Sequence, residues 1–193
     1  MKKYIALAAY VLLLFTAPTR AENQVNLGQQ ALSNIRGSMG VNMVSGNNNQ
    51  QGNLAAIAIS GPAIIQFSQQ TQAISALNGN QRVAIYDSAL TQSKGLIGIN
   101  QGAGEANQQV NAFALSLGDD TGVGAVTDIN LSTSVATLPT GKVPANTTSS
   151  IYLDGNALAG SKGVIQVNQV TGLGNQAVNM VSLPLTGAVT ASP

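Results

Sequence analysis

Residues 31–53 read ALSNIRGSMGVNMVSGNNNQQGN, residues 89–111 read ALTQSKGLIGINQGAGEANQQVN, and residues 157–179 read ALAGSKGVIQVNQVTGLGNQAVN. The three stretches align over 23 positions without a gap, and eight positions are identical in every copy. Ala31, Ala89 and Ala157 correspond, as do Leu32, Leu90 and Leu158, and Gly37, Gly95 and Gly163. Four polar sets follow: Asn42, Asn100 and Asn168; Asn49, Asn107 and Asn175; Gln50, Gln108 and Gln176; Asn53, Asn111 and Asn179. Gly46, Gly104 and Gly172 complete the pattern, and a basic residue (Arg36, Lys94, Lys162) precedes the first glycine each time. The third copy departs at Gln166, where the others have Gly40 and Gly98, and at Ala177, where they have Gln51 and Gln109. A capping terminal repeat and random drift account for these departures equally.

Each copy reads as strand, turn, strand. In residues 95–104, GLIGINQGAG, Ile97 and Ile99 alternate with Gly98 and Asn100, a period of two. Gly104 frees the chain to turn. In residues 107–117, NQQVNAFALSL, Val110, Ala112 and Ala114 share one face, while Asn111, Phe113, Leu115 and Leu117 share the other. A hairpin would satisfy this pattern. A β-arch, whose two strands pair with neighbouring rungs instead of each other, also explains why the same residues recur. The expected fold is all-β: three stacked imperfect repeats forming a β-solenoid, a cross-β layer of arches joined by irregular linkers.

Stacking makes every shared position a column with a spacing of about 4.7–4.8 Å. Asparagine above asparagine lets each amide N–H bond the next amide oxygen. Each such bond contributes about 0.5–1.5 kcal/mol net, whereas a buried amide left unpaired costs about 1–3 kcal/mol. The register is therefore enforced by the cost of misalignment. The basic column would repel itself, so it is expected to face water and discourage lateral sticking.

The rest of the chain bounds the function. Lys2 and Lys3 precede an apolar run from Tyr4 to Phe15, and Thr19-Arg20-Ala21 places small residues before a cut after Ala21. That is the pattern of a secretory signal peptide over residues 1–21, and the run is too short for an ordinary membrane span. Its removal leaves five basic groups against seven acids, a net charge near −2. Such a chain has no electrostatic footprint for nucleic acid. Charged residues make up 8% of the sequence against about a quarter in ordinary domains, so little repulsion keeps copies apart. Cysteine, histidine and tryptophan are absent. That excludes a disulfide framework, histidine-based triads and the usual zinc sites. No catalytic residue, cofactor or metal site is expected. Asp119-Asp120 is the one adjacent acidic pair, and it reads as a solvated turn. Asn130-Leu131-Ser132 and Asn146-Thr147-Thr148 match the glycosylation pattern and read as coincidence behind a bacterial export signal.

Around the repeats (31–53, 89–111 and 157–179) lie an N-terminal lead (22–30), linkers (54–88 and 112–156) and a C-terminal tail (180–193). Residues 64–77 admit a helix, with further strand favoured. Pro139 and Pro144 argue against continuous strand in the second linker. A stack of three rungs leaves open sheet edges, and self-complementary ends that accept another copy give a fibre.

This arrangement resembles the bacterial functional amyloid subunits of the Fap type, exported chains with three imperfect repeats containing GVN-x₃-G-x₂-NQQ-x-N. The match lies in Gly40-Val41-Asn42 through Asn53, in Gly98-Ile99-Asn100 through Asn111, and less fully in Val167-Asn168 through Asn179. The short linkers are closer to the minor, nucleating subunit. Family members often carry a cysteine pair near the C-terminus, and this chain has none. The resemblance implies secretion through an outer-membrane pore and self-assembly into a homopolymeric, biofilm-strengthening fibril, with other fibril subunits as further partners. The competing readings are a monomeric β-solenoid adhesin and a periplasmic accessory chain that holds subunits unassembled. The calcium-binding Gly-Gly-x-Gly-x-Asp repeat of some solenoids is absent.

Overall fold

The computed structural model describes residues 22–73, 79–118, 124–135 and 148–185. The segment read as a signal peptide, the Asp119-Asp120 pair, Pro139 and Pro144 lie outside the described residues. Those residues form strands and turns and contain no helix. In chain order the strands are β1 (Asn23–Leu27), β2 (Arg36–Ser45), β3 (Gln50–Ile59), β4 (Ala63–Ala73), β5 (Gln81–Ile85), β6 (Lys94–Glu105), β7 (Gln108–Leu117), β8 (Ala125–Val135), β9 (Ser149–Leu153), β10 (Lys162–Leu173) and β11 (Gln176–Leu185).

No strand pairs with its sequence neighbour. The sheets are β1-β5-β9, β2-β6-β10, β3-β7-β11 and β4-β8, all parallel. Consecutive strands such as β2 and β3 therefore face each other across two sheets, which is a β-arch. The chain passes through the four sheets in order and then begins again one rung higher. It is a β-solenoid of three rungs, β1–β4, β5–β8 and β9–β11.

Side-chain alternation decides what fills each layer. One side of the second sheet presents Ile97 and Ile99 to the first sheet, where they meet Leu27 and Ile85 together with Leu90 of the first arch. Each such side chain removed from water stabilises the fold by about 1.5–3 kcal/mol. Leu32 and Leu90 hold left-handed backbone (φ 61° and 64°) in that arch, a strain of about 1–2 kcal/mol, so their side chains can reach this cluster. Between the third and fourth sheets the filling is small, with Ala63, Ile65, Val110, Ala112 and Ala114. Between the second and third sheets it is polar, and there the carboxamides meet.

The rungs match beyond the repeats. Residues 22–59, 80–117 and 148–185 stack without a gap, offset by 58 and then 68 residues. The lead and the linkers therefore carry regular strands, where the sequence reading expected irregular linkers. β1, β5 and β9 repeat an apolar alternation, Val25/Val83/Ile151 and Leu27/Ile85/Leu153. The stretch that admitted a helix is strand over residues 64–73. It pairs with β8, Ala63 opposite Ala125, because three residues lead into β4 and seven lead into β8. Gln66 and Gln70 thus alternate with Ile65, Phe67 and Gln69 at a period of two.

Neighbouring sheets are staggered. β1 packs on both β2 and β6, β5 on β6 and β10, but β9 on β10 alone. The third sheet does the same, β3 on β2 and β6, β7 on β6 and β10, and β11 on β10. The first and third sheets thus ride half a rung ahead of the second.

The column of Gly46, Gly104 and Gly172 makes the close stacking possible. Gly46 and Gly104 hold φ of 102° and 126°, and a Cβ on either would collide with the carbonyl oxygen of the glycine in the rung above, Gly104 and Gly172 respectively. Gly104→Ala is accordingly expected to destabilise the fold by more than the roughly 1–3 kcal/mol of backbone strain alone. Gly155→Ala, into open space, should stay within about 0.5 kcal/mol. Urea unfolding of dilute protein measures both, and equal effects would contradict this account of the column.

Candidate functional site: the carboxamide columns

Asn42, Asn100 and Asn168 lie on β2, β6 and β10, on the face turned toward the third sheet. Asn53, Asn111 and Asn179 lie opposite on β3, β7 and β11. Within each column the upper amide donates to the lower. Asn100 Nδ2 reaches Asn42 Oδ1 at 2.9 Å and Asn168 Nδ2 reaches Asn100 Oδ1 at 3.0 Å. Asn111 Nδ2 reaches Asn53 Oδ1 at 2.9 Å and Asn179 Nδ2 reaches Asn111 Oδ1 at 3.0 Å.

The stagger also knits the two columns into one zigzag. Asn53 donates to Asn42 (2.7 Å), Asn100 to Asn53 (3.1 Å), Asn111 to Asn100 (3.1 Å), Asn168 to Asn111 (3.1 Å) and Asn179 to Asn168 (2.9 Å). Backbone carbonyls absorb further N–H capacity, Gly52 O for Asn100 and Ile99 O for Asn111. Asn100 and Asn111 are buried. Every amide-to-amide bond in the zigzag runs from the later rung or strand toward the first rung, so the array has a direction.

The third asparagine column closes the second arch. Asn49 Oδ1 accepts from the backbone N–H of Asn107 at 3.0 Å and from its Nδ2 at 2.9 Å, and Asn107 Oδ1 does the same for Asn175. Asn49 Nδ2 in turn donates to Gly104 O, and Asn107 Nδ2 to Gly172 O. The glycine and asparagine columns are thus one device: the carbonyl that forbids a Cβ on Gly46 is the acceptor for Asn49.

The first glutamine column, Gln50, Gln108 and Gln176, donates downward at 3.2 and 3.1 Å. It also reaches the fourth sheet through Gln70 O and Thr133 Oγ1. The second runs the other way, Gln51 Nε2 donating up to Gln109 Oε1 at 2.6 Å. It stops at Ala177, and Gln109 Nε2 there bonds the carbonyls of Gln101 and Asn168. Gln51 Oε1 is buried without a hydrogen-bond partner. The other departure of the third repeat, Gln166, is buried and donates to Ala112 O and Asn179 O.

The sequence reading missed a hydroxyl ladder. Ser161 Oγ donates to Leu90 O (2.6 Å) and accepts from Ser93 N, while Ser93 Oγ donates to Leu32 O (2.9 Å) and accepts from Ile35 N. Ile35 occupies the position in the first repeat and hides the column; the aligned Ser93 and Ser161 were its signal. Arg36, Lys94 and Lys162 are register partners and all exposed. Neighbouring charges about 4.8 Å apart repel by about 0.9 kcal/mol in water, which splaying side chains relieve. Among the described residues no three acidic side chains converge to hold a metal ion. The chemistry this arrangement offers is hydrogen bonding repeated along an axis.

A parallel solenoid with polar ladders inside and open rungs at both ends defines a protein of cross-β architecture. The chain belongs to the functional amyloid protein FapB/FapC family, whose sequence profile matches residues 14–186. It is similar to the functional amyloid subunit FapC of Pseudomonas aeruginosa, 32% identical over 97 residues that cover 45% of this chain and 28% of that protein. The match thus spans well under a third of the relative's length. No solved structure shows a significant match.

Asn111→Leu should destabilise the monomer by several kcal/mol, since it removes a buried amide's bonds to Asn53, Asn100 and Ile99 O and an acceptor shared by Asn168 and Asn179, at about 1–3 kcal/mol for each buried group left short of a partner. Asn42→Leu, at the exposed lower end, should cost under about 1 kcal/mol. Urea melts of the two variants at low concentration give the comparison, and a reversed order would refute the zigzag as the source of register.

Proposed function

We propose that this protein is a structural subunit exported from the cell that polymerises into extracellular functional amyloid fibrils, with the carboxamide columns as its self-assembly ladders. The observation that carries the reading is the open rung at each end of a parallel stack. β2 and β3 at one end, and β10 and β11 at the other, have a hydrogen-bonded neighbour on one side only. Unpaired strand edges with self-complementary columns are templates for the same sequence. Family membership supports the same reading.

The finer assignment follows from the short returns between rungs, which support a nucleating subunit that starts fibrils and co-assembles with other fibril subunits. Export through an outer-membrane pore and a part in biofilm attachment belong to this proposal, as does secretion directed by residues 1–21. An enzymatic role draws no support from the described residues, and the low charge of the chain argues against nucleic acid as a partner.

Fibre diffraction on the purified protein after quiet incubation tests the reading. A meridional reflection near about 4.8 Å with an equatorial one near about 10 Å is expected. A permanently monomeric solution would sink it and favour the adhesin. Replacing Asn49, Asn107 and Asn175 together by leucine should slow fibril growth at least tenfold in a dye-binding assay; unchanged kinetics would remove the ladders from the mechanism. Preformed seeds of this protein should shorten the lag of a longer family subunit if it nucleates.

A further inference from the structure

The two ends of the solenoid are different surfaces, and their differences are complementary. Because the first and third sheets ride half a rung ahead of the second, β9 and β11 form the walls of a trough whose floor is β10. At the other end β2 stands proud of β1 and β3 as a ridge. Burial records the asymmetry: Val25 and Leu27 are 5% and 7% exposed in the first rung, whereas their column partners Ile151 and Leu153 are 52% and 47% exposed in the third. The strand that would cover Ile151 and Leu153 is one seated on β10, as β6 is seated over Leu27 and β10 over Ile85.

Resting on the fibril reading, we infer that the trough at the third rung is a docking site for the β2 ridge of a second copy, so that fibrils are polar and each end admits one face of the incoming molecule. Hydrogen-bond chemistry matches the shape. Asn42, the lowest member of the zigzag, accepts from Asn53 and Asn100, and among the described residues its Nδ2 has no acceptor. Asn179, the highest, donates through Nδ2, and nothing among the described residues donates to its Oδ1. Asn42 of the second copy would donate to Asn168 and Asn179 as Asn100 donates to Asn42 and Asn53. Two troughs face to face would instead set acceptor against acceptor.

Side-chain size matches too. Gly102 lies between Gln51 and Gln109, and a Cβ there would come within 2.9 Å of Gln109 Oε1. Val44 occupies that column in the first rung and is 48% exposed. Its lower neighbour across the junction would be Ala177, the small residue that replaces the glutamine. Val170 fills the same column in the third rung and rests on Gln109, so Ala177 gives Val44 of the next molecule a roomier seat than the one Val170 already has.

Two substitutions that spare the monomer test this. Asn42→Asp keeps the acceptor oxygen that the monomer uses and removes only the unused donor; Leu153→Asp places a charge at a half-exposed position in the trough. Both variants should keep the wild-type circular dichroism and melting temperature, stay monomeric at pH 7 by light scattering, and elongate wild-type seeds at least tenfold more slowly than wild type. Mixed in equal amounts they should form dimers and nothing larger, since each retains the sound face that the other lacks. Acidification well below the ordinary carboxylate value of about 4 should restore growth of Asn42→Asp, because the protonated acid is again a donor. Wild-type growth of Asn42→Asp at pH 7, or its self-association into dimers, would overturn the polar junction while the fibrils of the parent protein leave the functional reading standing. A wild-type chain that never leaves the monomer would overturn both.

Discussion

Everything in this structure depends on register, and register is held by amides that have nowhere else to go. The layer between the second and third sheets is filled by Asn42, Asn53, Asn100, Asn111, Asn168 and Asn179, which bond one another and the adjacent carbonyls. A slip of one residue would turn the asparagines out of that layer and carry aliphatic side chains in. An apolar filling would tolerate a small misfit with a modest loss of packing. A hydrogen-bonded filling tolerates none without leaving donors and acceptors buried and unpaired. The aliphatic layer of Ile97, Ile99, Ile85 and Leu90 adds most of the driving force for burial, but it does not discriminate between neighbouring registers in the same way.

The stagger extends this logic between molecules. A rung of this solenoid is never completed by its own four strands, because each sheet rests partly on the rung above or below it. The middle rung is accordingly sealed, with Val83, Ile85, Asn100 and Asn111 all out of water, while Asn42 at the lower end and Ile151 and Leu153 at the upper end are exposed and Asn179 is half-buried. The chain thus carries one satisfied copy of its own unit and two incomplete ones.

Much of this was legible in the sequence, and what was not has physical causes. The eight identities per repeat located the second and third sheets because those positions admit one side chain: a Cβ on Gly46 meets a carbonyl, and an amide other than asparagine at position 111 does not bridge both columns. β1, β5 and β9 escaped notice because their columns ask only for an apolar residue, met by Val25, Val83 and Ile151 alike. β4 and β8 were hidden further by the unequal lengths of chain that precede them, which shift their offset to 62 residues. The hydroxyl ladder was masked by Ile35. Identity marks positions where chemistry has one solution, while strands held by area alone repeat in character without repeating in letters.

The half-step between sheets also bears on how an assembly of such molecules would break. A flat stack of discs parts along a plane, all its bonds failing together once a crack opens. At the proposed junction no plane across the axis would pass between two molecules, because the boundary would be stepped, with β2 of one below the tops of β9 and β11 of the other. Separation would have to draw a ridge of ten residues, Arg36–Ser45, out of a trough along its length. Load is then shared between backbone bonds in tension and buried side chains in shear, the arrangement that makes a scarfed timber joint stronger than a butted one.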